Sequence, residues 1–209
     1  MNVEEQAHVS KLRFLQRISD FEATMDAFEV TVAKILEAQG YWIRSSYKIN
    51  LTKEEKARVD KPSMPRPEID LIAYRPVQNE ILAVECKSLF DSPGVVAKHV
   101  FDPNPKSKHA KRYKMFNRTP LRELVLSRLA QQLCAERLCV SPPRVRLAMA
   151  VGHFRKDTDR DTLQQEFEKR GWLLFTDKWL RDNLMNLALN GYDNSIPIVT
   201  AKVLLRTPT

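Results

Sequence analysis

Two apolar runs, Ile69-Asp70-Leu71-Ile72-Ala73-Tyr74 and Ile81-Leu82-Ala83-Val84-Glu85-Cys86-Lys87, stand on either side of Pro76-Val77-Gln78-Asn79. Short apolar runs rich in branched residues, separated by a turn-forming tetrapeptide, predict a β-hairpin of largely buried strands. Glu85 and Lys87 are two apart on the second strand, so their side chains share one face while Cys86 projects to the other. Asp70 opens the first strand, and antiparallel pairing sets that start beside the end of the second, where Glu85 and Lys87 lie. A carboxylate pair and an ammonium are thereby brought together. Charges at strand ends are ordinarily solvated at the sheet rim. Here, however, Ile81 to Val84 reads as buried on both faces, and ending such a run in Glu and Lys is costly unless they pair or bind a metal.

Upstream of the hairpin, Ser19-Asp20-Phe21-Glu22 has the form of a capping box, and Gly40 suits the position just past a helix end, which predicts a helix from Ser19 to Gln39. Phe21, Met25, Phe28, Val32, Ile35 and Leu36 form its apolar stripe, with Glu29 roughly 75° from the stripe's centre, at the edge of the buried face. Residues 4 to 18 carry a weaker helical pattern through Val9, Leu12, Leu15 and Ile18. Tyr41-Trp42-Ile43 and Tyr47-Lys48-Ile49 turn towards strand, and the prolines of Pro62-Ser63-Met64-Pro65-Arg66-Pro67 mark a loop.

Downstream, residues 89 to 118 lack periodicity, and Thr119-Pro120 starts a long helix reaching about Cys139. Arg144 to Val151 reads as a strand, Asp159 to Arg170 as a helix stopped by Gly171, and Trp172 to Phe175 as a short strand. Thr176 caps a helix through Asn190, and Ile196 to Leu205 is expected as a last strand or an arm. The fold class is therefore α/β, a central mixed β-sheet flanked by helices. One domain is expected over 1–209, its core at about 20–152 and a C-terminal extension over 153–209.

Composition narrows the function. The chain has 209 residues, 43% of them hydrophobic, and a net charge of +8, a surplus that favours a polyanionic partner. Its glycines are too scattered for a dinucleotide fingerprint or a phosphate loop, and there is no Gly-x-Ser-x-Gly elbow. No apolar run approaches membrane-spanning length and the first twenty residues are charged throughout, so no membrane association and a cytoplasmic location are expected. Three cysteines, Cys86, Cys134 and Cys139, read as reduced thiols, with no second pair or histidine at zinc-ligand spacing.

Between Lys98 and Arg118 the charge is concentrated. Lys98, Lys106, Lys108, Lys111, Arg112, Lys114 and Arg118 stand against Asp102 alone and hold six of the net +8. Tyr113 and Phe116 interleave with them, which suits contact with a nucleic-acid backbone plus base stacking; the other reading is a solvated loop with two aromatics tucked inward. His99 and His109 read as isolated surface residues. Gln131 and Gln132, on the following helix, read equally as polar site residues or as core-edge glutamines.

Asp70, followed by Glu85-Cys86-Lys87, resembles the PD-(D/E)XK nuclease superfamily, whose motif joins an acidic residue to a downstream Glu-x-Lys on adjacent strands. Pro67 stands three residues before Asp70 instead of next to it. The preceding helix, with Phe28-Glu29 and Leu36-Glu37-Ala38-Gln39-Gly40-Tyr41, is similar to the first motif of restriction-endonuclease-like members, where a helical glutamate points into the site; Glu29 takes that position. The resemblance covers roughly residues 20 to 152 and implies a restriction-endonuclease-like core with C-terminal additions. It implies Mg²⁺ or Mn²⁺ held by Asp70, Glu85 and the Cys86 carbonyl, with Glu29 as a direct or water-mediated ligand. Lys87 would orient the attacking water and stabilise charge on the phosphate. The expected function is a metal-dependent nuclease, in first place an endonuclease, hydrolysing DNA phosphodiester bonds in restriction, repair, recombination or mobile-element movement. The alternatives are a catalytically silent nucleic-acid-binding module on the same fold, and a subunit active only with a protein partner or as a homodimer.

Overall fold

The computed structural model describes residues 26–60, 62–104 and 107–206. The Ser19 capping box, the helical pattern over residues 4 to 18 and Lys106 lie outside them. The first described helix, α1 (Ala27–Ala38), begins at Asp26, which is extended (φ −73°, ψ 160°) and accepts the amides of Phe28 and Glu29. This corrects the expected continuous helix from Ser19: an aspartate that satisfies two amide donors sets a helix start where it stands. At the other end Gly40, at φ +86°, lets Tyr41 N–H return to Leu36 O at 3.1 Å, the left-handed stop that the sequence predicts.

Strand β1 (Trp42–Lys48) is followed by a short helix, α2 (Lys53–Arg58), capped reciprocally by Thr52 and Glu55. The hairpin is then β2 (Glu68–Arg75), a single 3₁₀ turn at Pro76–Gln78 with Asn79 left-handed, and β3 (Glu80–Lys87). After the short helices α3 (Ala97–Val100), α4 (Lys108–Arg112) and α5 (Lys114–Asn117) come α6 (Thr119–Ala135) and β4 (Arg144–Val151). The chain continues as α7 (Asp157–Lys169), β5 (Leu173–Phe175), α8 (Asp177–Leu189) and α9 (Ile196–Leu205).

The sheet runs β1-β2-β3-β4-β5, antiparallel between the first three strands and parallel across β3-β4 and β4-β5. This is the expected α/β class with a mixed central sheet. Apolar residues of β3 alternate between two cores. Ile81 and Ala83 face one with Val125, Leu129, Leu163 and Phe167 of α6 and α7; Leu82 and Val84 face the other with Val32, Ile35 and Leu36 of α1 and Leu180 of α8. Residues past 152 are therefore woven into both faces of the sheet and supply its fifth strand.

Three expectations change. Within residues 89–118 the described chain forms three short helices in place of the expected loop, because Ala97, Val100, Ala110, Tyr113, Met115 and Phe116 bury themselves against the α6 side of the sheet. Helix α6 stops at Ala135, short of Cys139, where Arg137 turns left-handed at φ +58° and Leu138 N–H bonds back to Leu133 O. Ile196–Leu205 is a helix, not a strand or arm: a proline in its first turn costs no helical bond, and Ile198 is fully buried. Its β-branched residues argue for strand only while nothing packs against them. Among the described residues no helix is long and apolar enough to cross a membrane.

Candidate active site

The hairpin register pairs Leu71 with Val84, so one step further Asp70 lies across from Glu85, at the rim of the sheet. Glu85 and Lys87 leave β3 on the Ala83 face, and Cys86 packs into the opposite core with Val84. Asp70 Oδ2 accepts the Cys86 backbone N–H at 2.7 Å. Lys87 Nζ lies 3.3 Å from Glu85 Oε2, 3.7 Å from Asp70 Oδ2 and 3.0 Å from Cys86 O, to which it donates. Three oxygens from two strands thus surround one cationic position.

Both charged side chains at this end of β3 are withdrawn from water, with 11% of the Glu85 side chain and 15% of that of Lys87 exposed. Burial pushes the Glu85 carboxyl up, against the pull of Lys87, with Asp70 adding to the rise. Burial alone would lower the Lys87 ammonium, but Glu85 and Asp70 together outweigh it and its pKa is raised. The opposite end of the same strand offers a contrast. Glu80, also buried, faces two guanidinium groups, Arg146 at 3.5 Å and Arg144 at 3.8 Å. Glu80 has cations in excess, whereas Glu85 shares a single ammonium with a second carboxylate.

Helix α1 reaches the same rim from the other face. Burial pushes the Glu29 carboxyl up to about 7, and the charges of Asp70 and then Asp26 add to the rise. Cys86, buried on that side, has its thiol raised well above the usual thiol range, by burial first and then by Asp70 and Glu29. The structure therefore brings Asp70, Glu85, Lys87 and the Cys86 backbone together at one rim, while Glu29, on the opposite face, feels the charges of Asp70 and Lys87. Among the described residues no three Asp, Glu, His or Cys side chains stand close enough to hold a metal ion by side chains alone. The ligating set would need the Cys86 carbonyl.

The basic segment is carried by the three short helices that follow β3. Lys98 on α3, Lys108, Lys111 and Arg112 on α4, and Lys114 on α5 are exposed, with Arg118 half-buried at the end of α5. Lys114 acts on Glu85, its charge helping to hold the carboxylate ionised. Tyr113, which the sequence offers for base stacking, is buried instead. Its hydroxyl is pushed up by burial, while the charges of Arg112 and Lys87 oppose the rise.

Tyr113 and Phe116 are each 3% exposed, so neither is available to stack on a base; the inward-tucked reading holds. Gln132 accepts Asn50 N–H and donates to the Tyr47 hydroxyl and Lys48 O, fixing the end of β1, where Lys48 pairs with Glu68 two residues before Asp70. Gln131 is exposed and accepts from Arg128. His99 and His109 are not isolated but stack on each other, with centroids 3.7 Å apart and planes 7° from parallel.

No family model, curated protein or solved structure matches the chain.

Proposed function

We propose that this chain is a divalent-metal-dependent deoxyribonuclease of the PD-(D/E)XK kind that hydrolyses DNA phosphodiester bonds. The observation that carries the reading is the convergence of Asp70 Oδ2, Glu85 Oε2 and Cys86 O around one cationic position, filled by Lys87 Nζ at 3.7, 3.3 and 3.0 Å. Further support comes from the order of elements, a helix bearing Glu29, three antiparallel strands, a crossover helix and a parallel strand.

The donor set fits Mg²⁺ or Mn²⁺: hard oxygens only, two of them carboxylate, in a half-buried site with more negative than positive charge. Asp70, Glu85 and the Cys86 carbonyl would hold the ion, with Glu29 direct or through water. Bound there, the ion supplies Lewis-acid charge to the phosphate and makes its water acidic. Lys87, kept protonated by its two carboxylates, offers a charge for the non-bridging phosphate oxygens and a donor to orient the attacking water. Glu29, with a pKa of about 7, is able to take up or release a proton near neutral pH. The exposed cations of α3 to α5 would hold the strand by its phosphates, without reading sequence.

Two other readings have an observation each. A silent DNA-binding module is favoured by Lys87 itself, since an ammonium bonded to its neighbours is a complete ion cluster. A subunit that works only in an assembly is favoured by the exposed apolar side chains of Tyr192, Ile196, Val203 and Leu204. Nicking of supercoiled plasmid with Mg²⁺, with EDTA, and with the Glu85→Gln variant separates them. Cleavage that needs both metal and Glu85 supports the nuclease. Tight DNA binding with no cleavage under any metal supports the silent module, and cleavage appearing only in a complex supports the assembly.

A further inference from the structure

Helix α6 carries Cys134 in its last turn. The left-handed Arg137 closes the helix, with Arg137 N–H on Cys134 O at 3.0 Å and Leu138 N–H on Leu133 O at 2.9 Å. That reversal turns the chain back on itself and returns the next cysteine to the helix: the Sγ atoms of Cys134 and Cys139 are 3.4 Å apart. A disulfide is about 2.05 Å long, so closure asks for an approach of about 1.4 Å, within reach of side-chain rotation. The pair sits at the hairpin-turn end of the sheet, where Asn79 donates to Val140 O and Pro142 O, and so at the far end of β3 from Lys87.

Cys139 also lines a surface cavity of about 230 Å³, walled by Trp42, Tyr74, Leu133 and Leu138 with Arg44 at its edge. Its contents would be apolar or weakly polar and small. We propose that Cys134 and Cys139 are a reversible dithiol/disulfide site, oxidised by a low-molecular-weight disulfide that enters through this cavity. One cysteine thiolate attacks a sulfur of the oxidant, forming a mixed disulfide and expelling one thiolate, which takes up a proton. The second cysteine thiolate attacks the protein sulfur of that mixed disulfide and expels the other. The two thiols of the protein lose two protons and two electrons in all, and the oxidant leaves as two thiols.

The second step is intramolecular across 3.4 Å and therefore fast. The first is slow, because burial and then the shared hydrogen bond with Cys134 push the Cys139 thiol up to about 12. Cys86 has no such partner, and its buried thiol stands among carboxylates. The bond would clamp the residues around Glu136, whose carboxylate receives the Tyr47 hydroxyl at 2.9 Å and Arg44 at 3.0 Å and so ties α6 to the edge strand β1. None of this depends on the nuclease reading.

The sequence makes the test direct, because trypsin cuts after Arg128, Arg137 and Arg144 and so separates the two cysteines. The intact chain is incubated with bis(2-hydroxyethyl) disulfide, a small neutral disulfide suited to the cavity, then alkylated, digested without reduction and weighed. The expected result is a linked pair of peptides, Leu129–Arg137 with Leu138–Arg144, a fall from three titratable thiols to one, and reversal by dithiothreitol. Three thiols persisting, a hydroxyethyl adduct stable on Cys134 or Cys139, or a bond to Cys86 or to a second chain would each overturn the proposal. In the Cys134→Ser variant the linked pair should be absent, and its presence there would count equally against it.

Discussion

Asp70 Oδ2 accepts the backbone N–H of Cys86 at 2.7 Å, so the carboxylate that opens β2 is fixed to the residue between Glu85 and Lys87 on β3. The bond uses one Asp70 oxygen as a structural acceptor and leaves the carboxylate facing the Lys87 ammonium at 3.7 Å. The same side chain is therefore both a joint of the hairpin rim and a member of the charged cluster.

Asp70→Asn and Asp70→Ala should separate these two roles. Asparagine keeps an oxygen for the Cys86 amide but loses the charge, so metal-dependent cleavage should be lost while thermal unfolding changes little. Alanine also strands a partly buried amide, and losing a hydrogen bond to a charged group costs about 1.5–3 kcal/mol. Calorimetry and plasmid nicking on the two variants check this. Wild-type cleavage by Asp70→Asn would remove Asp70 from the site.

Glu29 gives a pH dependence of fixed sign. Its folded-state pKa of about 7 lies above the ordinary carboxylate value, so the native state holds this proton more tightly than the unfolded chain does. The stability it contributes is complete below the unfolded pKa and is lost as pH rises through about 7. Glu29→Gln removes that loss. In metal-free buffer the variant should gain Tm relative to the parent as pH goes from about 5 to about 8. A difference independent of pH would put Glu29 in open solvent.

Gly152 is needed for its lack of a side chain. A Cβ there would meet Phe90 Cζ at 2.6 Å, Ser88 O at 2.7 Å and Phe28 Cε2 at 3.0 Å, and Gly152 N–H bonds to Lys87 O at 3.0 Å. Gly152→Ala should cost about 1–3 kcal/mol of stability by overpacking. Because the clash is with the residue following Lys87, cleavage should fall further than the loss of folded protein explains. Denaturant melts beside single-turnover rates measure both.

The basic segment divides into two tests. Replacing Lys108, Lys111 and Arg112 together by alanine should weaken binding to all DNA sequences alike. It should also flatten log affinity against log salt by roughly 0.9 for each duplex phosphate no longer neutralised. Cleavage at saturating DNA should survive. Lys114, whose charge acts on Glu85, should differ: Lys114→Ala should slow cleavage at saturation as well. Equal behaviour of the two variants would undo this division.

The hairpin, the Gly40 stop, the Thr176 cap and the convergence of Asp70 with Glu85 and Lys87 were legible in the sequence, because each rests on local chemistry: strand periodicity of two, a turn tetrapeptide, a residue able to turn left-handed, a side chain that caps its own helix. Glu29 was legible as a position at the edge of a stripe, but its pKa arises from burial and from Asp70, which is distant in the chain. Tertiary structure alone decided the rest. Ala97–Val100, Lys108–Arg112 and Lys114–Asn117 became helical because Val100, Tyr113 and Phe116 found a sheet face to bury against, and that same burial removed the aromatics from any role in stacking. Ile196–Leu205 became a helix against α8 although its β-branched residues favour a strand, and Cys139 met Cys134 through one left-handed residue, Arg137. In the two helical cases the deciding free energy is burial against a distant surface, which local propensities of a few tenths of a kcal/mol per residue do not outweigh.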